Sequence, residues 1–108
     1  MDEKTRYVAR ILDQYRTLPG TLGRVLRDDR RTALALHRRS IGLDVVENAF
    51  LLAVARRTFR SDAHTLEPIR ALRYFLPVIQ EIVEAPPDPN YFTYLESRLR
   101  SAGIETHA

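Results

Sequence analysis

The side chains of this 108-residue chain best equipped for chemistry are its arginines, which make up sixteen of its seventeen basic residues. Arg31 and Arg38 stand seven apart and so share one helix face, while Arg56, Arg57 and Arg60 crowd a single short stretch. Guanidinium groups clustered in this way can neutralise phosphate oxygens without reading bases. The same residues also suit plainer roles. Arg56 and Arg57 near the end of a helix oppose its dipole, and the rest can pair with carboxylates elsewhere in the fold. Formal charge is uneven along the chain: residues 1–15 cancel, residues 16–60 sum to +6 and residues 61–108 to −3. That pattern fits a polyanion site in the middle segment, or two parts of one fold that attract each other. The excess of Arg over Lys carries no weight of its own, since codon composition can produce it as readily as selection for bidentate phosphate contacts.

Other chemistry finds little support. His37, His64 and His107 lack the paired spacing that brings two metal ligands onto one helical face, and there is no cysteine, so a metal site is not expected. His37 reads as a core-edge or surface histidine with no partner for base catalysis close in sequence. The carboxylate pairs Asp28/Asp29 and Asp44/Glu47 read as helix caps, and Glu81/Glu84 as a solvated face. There is no phosphate-cradling loop, dinucleotide turn or nucleophile elbow. These absences point to a protein that is not an enzyme and holds no cofactor.

A second candidate surface is aromatic. Tyr91, Phe92, Tyr94, Leu95 and Leu99 follow the stiff Pro86-Pro87-Asp88-Pro89 connector, and a helix so placed can fold onto its own core or onto a neighbouring subunit. A homodimer or larger protein assembly is the corresponding partner expectation. Tyr74 and Phe75 with Tyr91, Phe92 and Tyr94 could also offer a base-stacking platform, although at helical spacing such residues are more often core or interface.

The elements that must position these residues read as helices throughout. Val8, Ile11, Leu12 and Tyr15 mark a first helix over about 3–15. Thr21 can cap a short turn through Val25 and Leu26. Asp28-Asp29 opens a helix over about 29–39, with Ala33, Leu36 and His37 as its inner stripe. Gly42 is placed to take a left-handed conformation after it. Asp44 and Glu47, at capping-box spacing, introduce a helix over 45–59 whose middle, Ala49 to Ala55, is apolar on all sides and therefore central. Thr65 and Pro68 read as the start of a long helix over about 66–84, carrying Ile69, Leu72, Leu76, Ile79 and Val83 and interrupted by Pro77. Asn90 caps a last helix, which Gly103 ends.

Helix, short turn, helix around Gly42 also outlines a helix-turn-helix, with Ile41, Val45 and Leu51 at its apolar positions. Arg38 occupies the position that should be small, Asn48 an interior one, and Asp44 and Glu47 would meet phosphates with like charge. Reading of the major groove is disfavoured on those grounds.

The order Asp29-Arg30-Arg31 through Leu36, Ile41-Gly42-Leu43, Val46-Glu47-x-Ala49 to Arg56-Arg57, and Pro68-Ile69-Arg70-x-Leu72-x-Tyr74-Phe75-Leu76 resembles the helical layout of DnaD-like domains of replication and primosome proteins. The resemblance spans about residues 28–83 and rests on helix order and apolar spacing. The Pro77-Val78-Ile79 continuation departs from that family's Trp-containing end, and this chain has no Trp. It implies association with DNA in a replication or mobile-element assembly.

Together these readings give an all-α, single-domain irregular bundle of about five helices over 1–103, with a disordered tail over 104–108. No stretch approaches the roughly 20 apolar residues of a membrane span, there is no secretory leader and there are no cysteines, so a cytoplasmic location is expected. The leading functional expectation is a non-enzymatic binding module whose Arg31, Arg38, Arg56, Arg57 and Arg60 contact DNA or RNA phosphates. The competing one is a structural or oligomerisation protein acting through the 91–99 helix.

Overall fold

A computed structural model describes residues 1–105 and consists of five α-helices with no strand among them: α1 Glu3–Thr17, α2 Arg27–Arg38, α3 Leu43–Thr58, α4 Leu76–Glu84 and α5 Pro89–Ser101. The all-α bundle expected from the periodicity is the observed architecture. No helix among the described residues is long and apolar enough to cross a membrane. Residues 106–108, and with them His107 and most of the expected tail, lie outside the described part.

Helix α3 is the hub. It packs on α1, α4 and α5, while α2 lies chiefly against α1 and the short 3-10 turn Leu72–Phe75. Its unbroken inner run from Ala49 to Ala55 is buried, because every face of the helix meets a neighbour. Each large apolar side chain buried there stabilises the fold by about 1.5–3 kcal/mol. Opposite it, α1 turns Tyr7, Val8, Ile11, Leu12 and Tyr15 inward, and the Asp2 side chain caps its first turn by accepting from the Thr5 amide at 2.7 Å.

Several local expectations are corrected by tertiary bonds. Residues 21–26 form no helical turn. Instead Ile69 donates to the Gly20 carbonyl and accepts from the Leu22 amide, at 2.6 and 3.2 Å, stitching the two extended segments side by side. The helix expected from residue 66 therefore begins late. Ile69 is taken by this pairing and residues 66–71 are not helical, Leu72–Phe75 make one 3-10 turn, and Pro77 sits in the first turn of α4. A proline there loses no hydrogen bond, so it starts a helix rather than kinking one.

The left-handed residue after α2 is Ser40, at φ 57°, and not Gly42. Gly42 has φ −66° and serves as the N-cap of α3, so neither Asp44 nor Glu47 caps that helix. Glu47 accepts from Gln14 at 3.1 Å and faces Arg10 at 3.5 Å, tying α3 to α1. Likewise Asp88, not Asn90, caps α5, accepting from the Asn90 amide at 2.8 Å. Ile104 is packed against the core, its amide donating to the Leu99 carbonyl at 2.9 Å, so the start of the expected tail is part of the fold.

Asp29 does more than place charge at a helix start. Helix α2 begins at Arg27, and the Asp29 carboxylate reaches back to accept from the Leu26 amide at 2.8 Å. Its other oxygen accepts from the Leu72 amide at 2.9 Å, forty-three residues away. With 1% of its surface exposed, it is the one buried charged residue among those described. It locks the start of α2 to the turn that launches α4.

Candidate functional site

The arginines singled out by sequence fall into two groups on helices that are not principal neighbours. Arg31 and Arg38 lie on the outside of α2, whereas Arg56, Arg57 and Arg60 lie at and just beyond the end of α3. The three at the α3 end each grip a different neighbour. Arg56 forms a two-pronged bond with Glu81 of α4, at 2.6 and 2.8 Å. That bond raises the guanidinium pKa and, from the other side, holds the Glu81 carboxyl below its ordinary value.

Arg57 donates to the Glu67 carbonyl at 2.8 Å and lies 5.8 Å from the centre of the Tyr74 ring. It lies alongside Gly20, where a Cβ would stand 3.4 Å from its Nε. Gly20 has φ 89°, and that left-handed backbone favours a glycine at the position. Arg60 closes the turn after α3 through two 2.9 Å bonds to Asp62, whose carboxyl is held low by them. These are the structural uses of Arg that the sequence offered as the plainer reading.

On α2 the picture is looser. Arg31 stands 3.5 Å from Asp28, which also faces Arg73 at 3.8 Å. Arg38 is exposed and makes no ion pair among the described residues, and the same holds for Arg24, Arg27 and Arg30. His37 is half-buried, with Nε2 2.7 Å from a Glu3 oxygen and its ring edge-on to Tyr7. Both contacts position it at the α1–α2 seam rather than in a cleft.

The aromatic candidates divide. Phe92, Leu95 and Leu99 are buried inside the protomer, which removes them from any exposed interface and assigns them to the core. Phe75 is likewise buried between Tyr15 and Phe50. Tyr91 and Tyr94 remain on the surface at 43% and 53% exposure, their rings 6.4 Å apart and nearly parallel.

They are joined by two residues the sequence reading passed over. Phe59, 39% exposed, follows the end of α3, and the Arg98 guanidinium lies 4.0 Å above its ring and 5.9 Å from the Tyr94 ring. The signal was present: Tyr91, Tyr94 and Arg98, spaced three and four apart, form a second stripe on α5 beside the buried one. The fold adds Phe59 by ending α3 against it.

No protein-family description, curated protein or solved structure matches this chain. The functional reading therefore rests on the geometry of these surfaces.

Proposed function

We propose that this chain is a non-enzymatic helical module that associates with protein through the surface formed by Phe59, Tyr91, Tyr94 and Arg98. The observation that carries this is the grouping of two exposed aromatic rings, Phe59 and Tyr94, around the Arg98 guanidinium, with the exposed Tyr91 ring beside Tyr94. Tyr and Arg are the side chains most enriched where binding energy concentrates, because each presents a large flat contact area that loses little freedom on docking. The first partner to test is a second copy of the chain, since an Arg-aromatic surface can complement its own image across a two-fold axis. Sedimentation equilibrium over a range of concentrations tests it. Self-association that Tyr94→Glu abolishes, with the melting temperature unchanged, supports the reading. A monomer at about 100 μM, tighter than which most specific complexes bind, removes the homodimer and makes a different protein the partner of this surface.

A second reading, phosphate contact, is favoured by one observation: four exposed arginines without an ion pair among the described residues, Arg24, Arg27, Arg30 and Arg38, lie on and before α2. It shifts the expected contact from Arg56, Arg57 and Arg60 toward Arg24, Arg27, Arg30 and Arg38. The DnaD-like helix order would fit such contact with DNA. Fluorescence anisotropy of labelled DNA and RNA over a salt series separates the two readings. Phosphate contact requires binding that weakens linearly with log salt and falls on Arg30→Glu with Arg38→Glu more than on Arg56→Glu with Arg57→Glu.

A further inference from the structure

Between the start of α3, the end of α4 and the start of α5 lies an open groove of about 540 Å³, within the size range of small-molecule sites. Its walls include the apolar side chains of Val45, Ile82, Val83, Pro87 and Phe92, and the only charged residues lining it among those described are Asp44 and Glu96. Neither carboxylate makes an ion pair among the described residues. Both therefore keep their charge available to a ligand in a chain of net charge +3. Asn48 adds an amide to the same wall. Gly42 leaves room for the Asp44 carboxylate to fold back, since a Cβ at Gly42 would stand 2.5 Å from one of its oxygens. The helix N-termini bordering the groove carry their own acids, Asp44 in the first turn of α3 and Asp88 at the cap of α5, which offset the positive ends of those dipoles.

We infer that this groove binds a small organic cation, an amine or guanidine on an apolar body, with the body against Ile82, Val83 and Phe92 and the charge between Asp44 and Glu96. The two demands are complementary: apolar walls drive burial of the body, and two unpaired carboxylates select the positive head over a neutral or negative one. This site is separate from the Phe59–Tyr94–Arg98 surface and does not depend on it.

The test is titration of the isotope-labelled protein with three probes of one shape, phenethylamine, 2-phenylethanol and 3-phenylpropionate, followed by backbone amide shifts. The expected result is saturable shifts at Asn48, Val83 and Thr93 with the amine. The alcohol should bind about fivefold more weakly, the order of a partly exposed ion pair, and the carboxylate not at all. Asp44→Asn with Glu96→Gln should erase the preference for amine over alcohol. Both positions are exposed, so the variant keeps its core, and its amide spectrum reports that directly. Equal affinity for amine and alcohol, shifts confined to other faces, or no saturable shift with any probe would each overturn the inference.

Discussion

The two sides of this bundle are held together by different physics. Where α1 and α2 meet Leu72–Phe75, buried directional bonds set the geometry: Asp29 joins the Leu26 and Leu72 amides, and the Tyr7 hydroxyl donates to the Ile41 carbonyl at 2.7 Å. Where α3 meets α4 and α5, the buried contacts are apolar. Polar bonds there, such as Arg56 with Glu81, lie on the outside. A buried bond has no water to replace it when broken, so the first side is specified by a few irreplaceable groups. The second side is specified by volume and shape, which leaves its surface side chains free for partners. Both proposed sites, the aromatic patch and the acidic groove, lie on this second side.

That contrast breaks if the polar side proves tolerant. Asp29→Ala strands the buried Leu72 amide and the part-buried Leu26 amide and should cost about 3 kcal/mol, at 1–3 kcal/mol for the buried group with a smaller loss at Leu26 and in packing added. Urea unfolding measures it, and a loss under about 1 kcal/mol would mean water reaches those amides. On the apolar side, Leu99→Ala should cost about 3 kcal/mol through a cavity at the α3–α5 contact. The patch residue Tyr94→Ala should change stability by less than about 0.5 kcal/mol.

Within the polar side a pair of tyrosines sharpens the point. Tyr7→Phe leaves the Ile41 carbonyl without its buried donor and should cost about 1–2 kcal/mol. Tyr15, whose hydroxyl is buried with no partner among the described residues, should be replaced by Phe at no loss or with a gain. Equal losses for the two would show that burial of the ring, rather than the hydrogen bond, decides both.

The pH dependence should divide the same way. Burial holds the Tyr7 and Tyr15 phenols up to about 12 against an ordinary 10.0. The neutral form is therefore favoured by folding, and its contribution is complete below pH 10 and lost as pH rises through 12. The Phe variants should flatten that alkaline loss in thermal melts. Glu81 and Asp62 shift the opposite way, downward, because their arginines stabilise the carboxylates. Their smaller, salt-screened contribution is present at neutral pH and declines in acid as pH falls below the ordinary carboxylate range. Glu81→Gln with Asp62→Asn should remove that acid limb and leave the alkaline one intact.

Much of the fold was legible in the residues because apolar spacing within one helix is a local property. The first helix, the all-apolar middle of α3 and the 92/95/99 stripe could each be read without knowing what they touch. The same pattern misled wherever a distant segment competed for the backbone. Ile69 fits a helical stripe, but its amide and carbonyl are taken by Gly20 and Leu22. Gly42 looked like the residue built for a left-handed turn, yet Ser40 takes it, because the chain must turn before Ile41 can be buried under Tyr7.

The candidate sites follow the same division. The sequence alone determined that nearly all basic side chains would be guanidiniums, that thiol chemistry was absent and that the positive charge would be concentrated in the middle of the chain. Whether those guanidiniums are free or engaged was decided only by tertiary structure. A guanidinium's availability depends on the carboxylate or carbonyl that the fold brings to it, and Glu81 reaches Arg56 from twenty-five residues away. The aromatic patch and the acidic groove arise in the same way. Phe59 and Arg98, or Asp44 and Glu96, acquire a shared surface because helices pack side by side, and no spacing within a single helix encodes that juxtaposition.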